Sequence, residues 1–101
     1  MTLPRHYAVR EGLAALADDT RLRILYQLRV RHEHCQDMAG YAGIHVADLV
    51  EALGLSQPAV SKHLAVLRGA GLVTVTRRGT RSYYQRDEAA IERLKTAIQD
   101  L

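Results

Sequence analysis

The hydrophobic residues of this chain are spaced for helices over most of its length. Five segments repeat apolar side chains at intervals of three or four residues, the spacing that collects them on one face of an α-helix. These segments are residues 5–17, residues 19 to about 31, residues 46–53, residues 57–70 and the stretch after Asp87. Residues 32–43 mix polar side chains with two glycines and show no period, so we expect a loop or a frayed helix end there.

Capping residues mark the ends of several of these segments. Asp18, Ser56 and Asp87 each stand just before a helical segment, where a side-chain oxygen can accept a hydrogen bond from a free backbone N–H. Gly54 follows the third segment and Gly71 the fourth, a position at which helices commonly end. The pattern therefore predicts a third and a fourth helix joined by a four-residue connection, residues 54–57.

Residues 72–85 follow a different period, of two. Threonines alternate with valines, the chain turns at Arg78-Gly79, and a serine and two tyrosines follow. β-Branched and aromatic residues around a glycine predict a β-hairpin. The fold is then mainly α with a small β-hairpin: four helices, a hairpin wing and a C-terminal fifth helix. Two helices, a short connection and a basic hairpin make a winged helix-turn-helix, in which the second helix reads a DNA groove.

Length and composition limit the class of protein. A chain of 101 residues with 48% hydrophobic and 25% charged residues is expected to form one globular domain, residues 1–101. No run approaches the 18 or so apolar residues of a membrane span and no signal-peptide core is present, so we expect a cytoplasmic protein. No phosphate-binding glycine loop and no catalytic triad are found, which predicts that the chain is not an enzyme.

Charge is divided unevenly along the chain. Residues 55–86 hold six Lys or Arg and no carboxylate, so within a net charge of +3 the remainder carries −3. A separate basic surface on a small domain indicates a polyanionic partner, most often nucleic acid.

The predicted fourth helix and hairpin carry most of this positive charge. Opposite its apolar stripe, the helix places small, polar and cationic side chains that suit the major groove: Gln57, Ser61, Ala65 and Arg68, with Lys62 beside them. The tip of the hairpin carries Arg77, Arg78 and Arg81. The sequence therefore predicts binding to double-stranded DNA.

Three stretches closely resemble the ArsR/SmtB family of bacterial transcription regulators. They are "LADDTRLRILYQL", "VADLVEALGLSQPAVSKHLAVLRGAGLV" and "RRGTRSYYQ", in family order, and the resemblance covers roughly residues 10 to 87. It implies a homodimer formed through the first and last helices that binds a palindromic operator and usually responds to a metal ion. It also implies recognition-helix positions for Ser56, Gln57, Ser61, Lys62 and His63. Because His63 lies beside the apolar stripe, a phosphate contact and a structural hydrogen bond are both open for it.

The resemblance also suggests where a metal could bind. The family's last-helix site has histidine where this chain has Ala89 and Ala90, so we expect that site to be absent. The third-helix site, usually C-x-C-D-L, reads "HVADL" here, with His45 at the first cysteine position and Asp48 retained. Imidazole and carboxylate ligands suit nickel or zinc better than thiophilic ions.

The remaining candidate ligands precede this motif. They are His32, His34 and Cys35, and His6 could approach from the first helix of either subunit. We therefore predict a nickel site first and a zinc site second. Three alternatives stay open: a metal-independent winged-helix regulator, a protein-docking module, and a redox sensor based on Cys35, the chain's single cysteine.

Overall fold

The structure, a computed structural model, describes the backbone of residues 3–101 and the side chains from residue 9 onward. It contains five helices, α1 (Leu3–Leu16), α2 (Asp19–Cys35), α3 (Val46–Leu53), α4 (Gln57–Gly69) and α5 (Glu88–Gln99). Its strands are β1 (Ile44–His45), β2 (Val73–Arg78) and β3 (Arg81–Arg86). The predicted mainly-α winged helix-turn-helix is confirmed.

The predicted caps are present. Asp18, Ser56 and Asp87 each accept a hydrogen bond from the backbone N–H three residues later, at 3.0, 3.3 and 2.9 Å. Gly54 ends α3 in the left-handed conformation, with φ of 67°. Because a side chain is strained in that conformation, this glycine sets the short connection between α3 and α4.

The second helix is longer than predicted. It continues to Cys35 rather than ending near Arg31, and the backbone N–H of Gln36 still bonds the carbonyl of His32 at 2.9 Å. This last turn is largely exposed, so it needs no apolar stripe, and its arginine and glutamate favour a helix. The loop expected from residue 32 therefore begins only after Cys35.

The sheet has one strand more than predicted. β2 and β3 form the hairpin, but its turn lies at Gly79–Thr80, one residue later than expected. The short β1 pairs antiparallel with β3, with Ile44 opposite Tyr84, and gives the strand order β1-β3-β2. Just before β1, a Cβ at Gly43 would collide with the carbonyl oxygen of Tyr84, so only glycine allows this approach.

The core is formed where α2, α3 and α4 meet. Its most deeply buried side chains are Ile24, Leu28, Leu49, Val60, Leu64 and Leu67. Ile91 and Leu94 of α5 pack against this cluster but are only partly buried. Since three of the six residues lie on α4, the core fixes the rotation of that helix about its axis.

Candidate nucleic-acid interface

The outward face of α4 is polar and cationic. Val60, Leu64 and Leu67 lie in the core, with at most 1% of their surface exposed. The opposite side of the helix is exposed, and its side chains are Gln57, Ser61, Lys62, Ala65 and Arg68. These are the positions that the sequence predicted to face DNA.

The N-terminus of α4 is also at the surface. Ser56 is exposed, and its hydroxyl oxygen accepts the Ala59 N–H, so this predicted DNA-contacting residue also caps the helix. The amide dipoles give this end of the helix a partial positive charge, which favours a phosphate.

A shallow hollow of about 430 Å³ separates the exposed face of α4 from the sheet. Its lining residues are Ser61, Leu64, Ala65, Arg68, Gly69 and Tyr84. Tyr84 comes from β3 and also packs against the core. The exposed face of α4 and strand β3 therefore border the same shallow hollow.

The three arginines of the wing are exposed but not equivalent. Arg78 lies opposite Arg81 in the hairpin, and its Nη1 donates a 2.7 Å hydrogen bond to the carbonyl oxygen of Gly40. Arg77 and Arg81 have no side-chain hydrogen bond or ion pair within the described residues. Arg78 is thus tied to the loop after α2, while the other two are available to a ligand.

The sixth cation of the basic segment does not belong to this surface. The Arg86 side chain is 13% exposed and forms a 2.9 Å ion pair with Glu88. Its charge is balanced by a residue just outside the acid-free segment, which the count of residues 55–86 could not reveal.

The fourth helix is held on its inner side by His63. The Nη1 atom of Arg21 lies 3.2 Å from His63 Nδ1, and Arg21 Nε donates to the carbonyl of Ala15 at 2.6 Å. Asp18 is 3.8 Å from the same imidazole nitrogen. Of the two interactions left open for His63, the structural hydrogen bond is present.

The pKa of Asp18 is lowered from its ordinary value of 3.8. The main cause is the hydrogen bond from the Arg21 backbone N–H; partial burial opposes the change, and the charge of the Arg21 guanidinium adds to the lowering. Asp18 is therefore a carboxylate under ordinary conditions and supports the position of Arg21.

The candidate metal ligands whose side chains the structure describes do not converge within one chain. His32, His34 and Cys35 lie at the end of α2, while β1 holds His45 on the sheet, where its Nδ1 is 3.1 Å from the Ser82 carbonyl oxygen. Asp48 is exposed in the first turn of α3. Among the side chains from residue 9 onward, no three His, Cys, Asp or Glu are placed to hold a metal ion.

The position of His6 relative to these ligands is not considered, because its side chain lies outside the described residues. The described side chains of one chain therefore do not form a metal site by themselves. A metal site would need further ligands, from His6 or from a second subunit.

The fold and the basic surface define a winged helix-turn-helix DNA-binding protein. Residues 45–75, which run from β1 through α4 into β2, match the family described as bacterial regulatory protein, arsR family. The chain is 34% identical over 88 residues to the HTH-type transcriptional regulator YbzH of Bacillus subtilis, covering 83% of this chain and 88% of YbzH. The chain belongs to the arsR family.

Two further relatives extend this result. The arsenic resistance transcriptional regulator ArsR1 of Pseudomonas putida is 41% identical over 70 residues, covering 69% of this chain and 47% of ArsR1. The chain thus spans about half the length of that relative. An ArsR-like transcriptional regulator from Rhodococcus sp. RHA1 has a similar structure, with a TM-score of 0.74 and 26% identity, covering 94% of this chain and 79% of that one.

Membership in this family confirms the predicted resemblance. It also confirms the prediction of a DNA-binding transcriptional regulator that is not an enzyme. None of the helices in the described part of the chain has the length and apolar character needed to cross a membrane.

Proposed function

We propose that this chain acts in the cytoplasm as a homodimeric regulator that binds a palindromic operator through α4 and the wing of each subunit. The observation that carries this proposal is the acid-free surface formed by the outer face of α4 and the hairpin. Gln57 and Ser61 would face base edges in the major groove, and Ala65 leaves room for close approach.

Phosphate contacts are assigned to the exposed cations around this face. Lys62 and Arg68 flank the groove-facing side of α4, while Arg77 and Arg81 extend from the wing. Such contacts position the protein on the duplex but do not read sequence. Specificity then depends on the few polar side chains at the centre of the helix.

Dimerisation is assigned to α1 and α5. Apolar side chains remain exposed on both helices and at the chain end, with 43% of Leu13, 38% of Ile98 and 82% of Leu101 accessible. A groove of about 560 Å³ also lies between the two helices, next to the end of α4. A second copy would cover these surfaces and set the two α4 helices about 34 Å apart, one turn of DNA.

DNA binding is tested by selecting duplexes from a random library and then measuring affinity against salt. A regulator with several phosphate contacts should lose orders of magnitude in affinity between about 50 and 200 mM salt. A chain that selects no duplex, or that binds without dependence on salt, would be a docking module instead.

We propose a metal response as a second function, with nickel first and zinc second. His45 supports it, because an Nδ1–H bonded to the Ser82 carbonyl leaves the Nε2 lone pair available, the arrangement typical of metal-binding histidines. The other ligands would come from a second subunit or from His6. No step of DNA binding as proposed above depends on a metal.

The metal response is tested by titrating DNA binding with Ni(II), Zn(II), Co(II) and a chelator. The wild type is compared with His45→Ala, and with His34→Ala as a second candidate ligand. A metal-dependent change in affinity that is lost in His45→Ala would support the proposal. Affinity that no ion changes would remove it and leave a metal-independent regulator.

A further inference from the structure

Three side chains join α4 to the corner between α1 and α2. Asp18 caps α2, Arg21 lies one turn further along, and His63 lies on the inner side of α4. The guanidinium of Arg21 spans the corner, since it bonds the carbonyls of Ala15 and Ala14 at the end of α1 and reaches the imidazole with Nη1. Arg21 is only 15% exposed. The contact therefore lies on the side of the recognition helix that packs against the rest of the chain.

The chemistry of this contact determines where the imidazole proton lies. A guanidinium only donates hydrogen bonds and stays protonated, so His63 Nδ1 must be the acceptor in the 3.2 Å contact with Arg21. The ring is then neutral, with its proton on Nε2. The other tautomer would place two N–H groups against each other.

Asp18 is the competing partner for the same nitrogen. A protonated Nδ1 would donate to its carboxylate, but the two atoms are 3.8 Å apart, beyond hydrogen-bonding distance. The carboxylate instead accepts the backbone N–H of Arg21 at 3.0 Å. The distances therefore favour Arg21 as the residue that determines the tautomer.

We propose that Arg21 is a positioning residue for DNA recognition, which holds His63 as the Nε2–H tautomer so that α4 presents an uncharged N–H donor to a phosphate. This inference rests on the proposed DNA binding. His63 is 22% exposed and neighbours Lys62, and within the described residues its Nε2 has no hydrogen-bond partner. One nitrogen then fixes the helix and the other contacts DNA, so both roles considered for His63 apply together.

The tautomer is measured on the DNA-free protein by long-range ¹H–¹⁵N NMR of the imidazole, at about pH 8, above the ordinary histidine pKa. In the wild type we expect an unprotonated Nδ1 and a protonated Nε2. In Arg21→Gln the Nδ1 resonance should shift toward that of a tautomer mixture. In Arg23→Gln it should not move, because Arg23 lies on the same helix but bonds the carbonyl of Leu53.

Two NMR results would overturn the proposal. One is a protonated Nδ1 in the wild type, which requires no substitution to observe and does not depend on the folding of any variant. The other is an Arg21→Gln spectrum with the same Nδ1 shift as the wild type.

DNA affinity supplies the functional half of the test. We expect Arg21→Gln to bind about tenfold more weakly, the effect of losing one hydrogen bond to a charged group, with an unchanged salt slope. Arg77→Gln, by contrast, should lower the slope by about one for each phosphate that is no longer neutralised. An Arg21→Gln slope that falls like that of Arg77→Gln would show that Arg21 itself binds phosphate, against the proposal.

Two substitutions of His63 separate its nitrogens. Asparagine places an oxygen acceptor near the Nδ1 position, whereas glutamine reaches the Nε2 position with a donor. We expect His63→Asn to keep the thermal stability and lose about tenfold in DNA affinity, and His63→Gln to keep more of the affinity. His63→Asn binding as tightly as the wild type would refute the DNA contact. If the wild type binds no duplex at all, the proposed function fails while the NMR result still reports on Arg21.

Discussion

The fourth and fifth helices of this chain differ in how much of their apolar stripe is covered. On α4, Val60, Leu64 and Leu67 are almost completely buried. On α5 no side chain is buried, and Ile98 is exposed although it continues the stripe of Ile91 and Leu94. Both helices begin with a side-chain cap, so the difference arises from packing and not from helix formation.

This difference indicates two kinds of partner. A helix whose stripe is fully buried has a fixed rotation and offers the side opposite that stripe, which on α4 carries cations and no acid, although Val66 is also 40% exposed. A helix whose stripe is only half covered still has apolar area to bury, and the polar side of α5 carries both signs of charge. The first suits a polyanion and the second suits another copy of the chain.

The largest expected effect is the loss of a core side chain from α4. Leu64→Ala should lower the free energy of unfolding by about 2–5 kcal/mol, because the cavity lies in a fully packed region. Ile98→Ala should lower the free energy of unfolding much less, at protein concentrations at which the chain is monomeric. Urea denaturation of both variants measures the contrast, and equal losses would contradict it.

Substitutions in α5 should affect dimerisation more than they affect the stability of the monomer. Ile98→Glu places a charge in the proposed interface and should raise the dimer dissociation constant by about tenfold or more. Sedimentation equilibrium measures this change. Gln99→Glu, an exposed polar position on the same helix, is the control and should dimerise like the wild type. A dimer unaffected by Ile98→Glu would place the interface elsewhere.

One cation on each helix tests whether α4 faces DNA and α5 faces a second copy of the chain. Arg68→Gln on α4 should lower the slope of log affinity against log salt by about 0.9 for each phosphate left without its cation, hence by nearly two in a dimer. Lys95→Gln on α5 removes the same charge from an exposed position outside the groove between α1 and α5, and should leave the slope unchanged. Equal slopes for the two variants would mean that α4 has no special role.

The smallest expected effect is on the pH dependence of stability, and it concerns Asp18, the N-cap of α2 that lies near His63 of α4. The pKa of Asp18 is lowered in the folded chain, chiefly by the Arg21 backbone N–H, so the unfolded chain binds this proton more readily. The stability it contributes is complete above its ordinary pKa of 3.8 and is lost as pH falls through the folded pKa. Thermal unfolding below about pH 5 should therefore depend less on pH in Asp18→Asn than in the wild type. Asp19→Asn is the control, and an identical profile for Asp18→Asn would exclude the contribution.

Local signals were sufficient to predict most of the fold. Each cap is a contact between residues three apart, and each apolar stripe is a pattern within one helix, so Ser56 and Asp87 could be assigned without tertiary information. The exposed cations of α4 followed from the same reasoning, since burying Val60 and Leu64 leaves only one side outward.

The features that the sequence did not reveal are non-local or lack a pattern. β1 is two residues long and forms only because Ile44 pairs with Tyr84, 40 positions later in the sequence. The last turn of α2 has no apolar period. The contact between Arg21 and His63 joins residues 42 positions apart, and no local signal indicates it. The candidate metal ligands are close along the sequence, but among the side chains from residue 9 onward the fold does not bring three of them together, so the metal site stays a prediction.

The third strand has a consequence for the stiffness of the wing. A two-stranded hairpin alone is marginally stable, but here β1, together with hydrogen bonds from Arg78 to Gly40 and from Gln85 to Ala42, braces one side of it. The wing arginines are therefore carried on a base that is ordered before any duplex arrives. In the proposed DNA complex, little conformational entropy would then be lost when the tip of the wing contacts a sugar-phosphate strand, so the geometry of residues 40–45 would contribute to affinity without touching DNA.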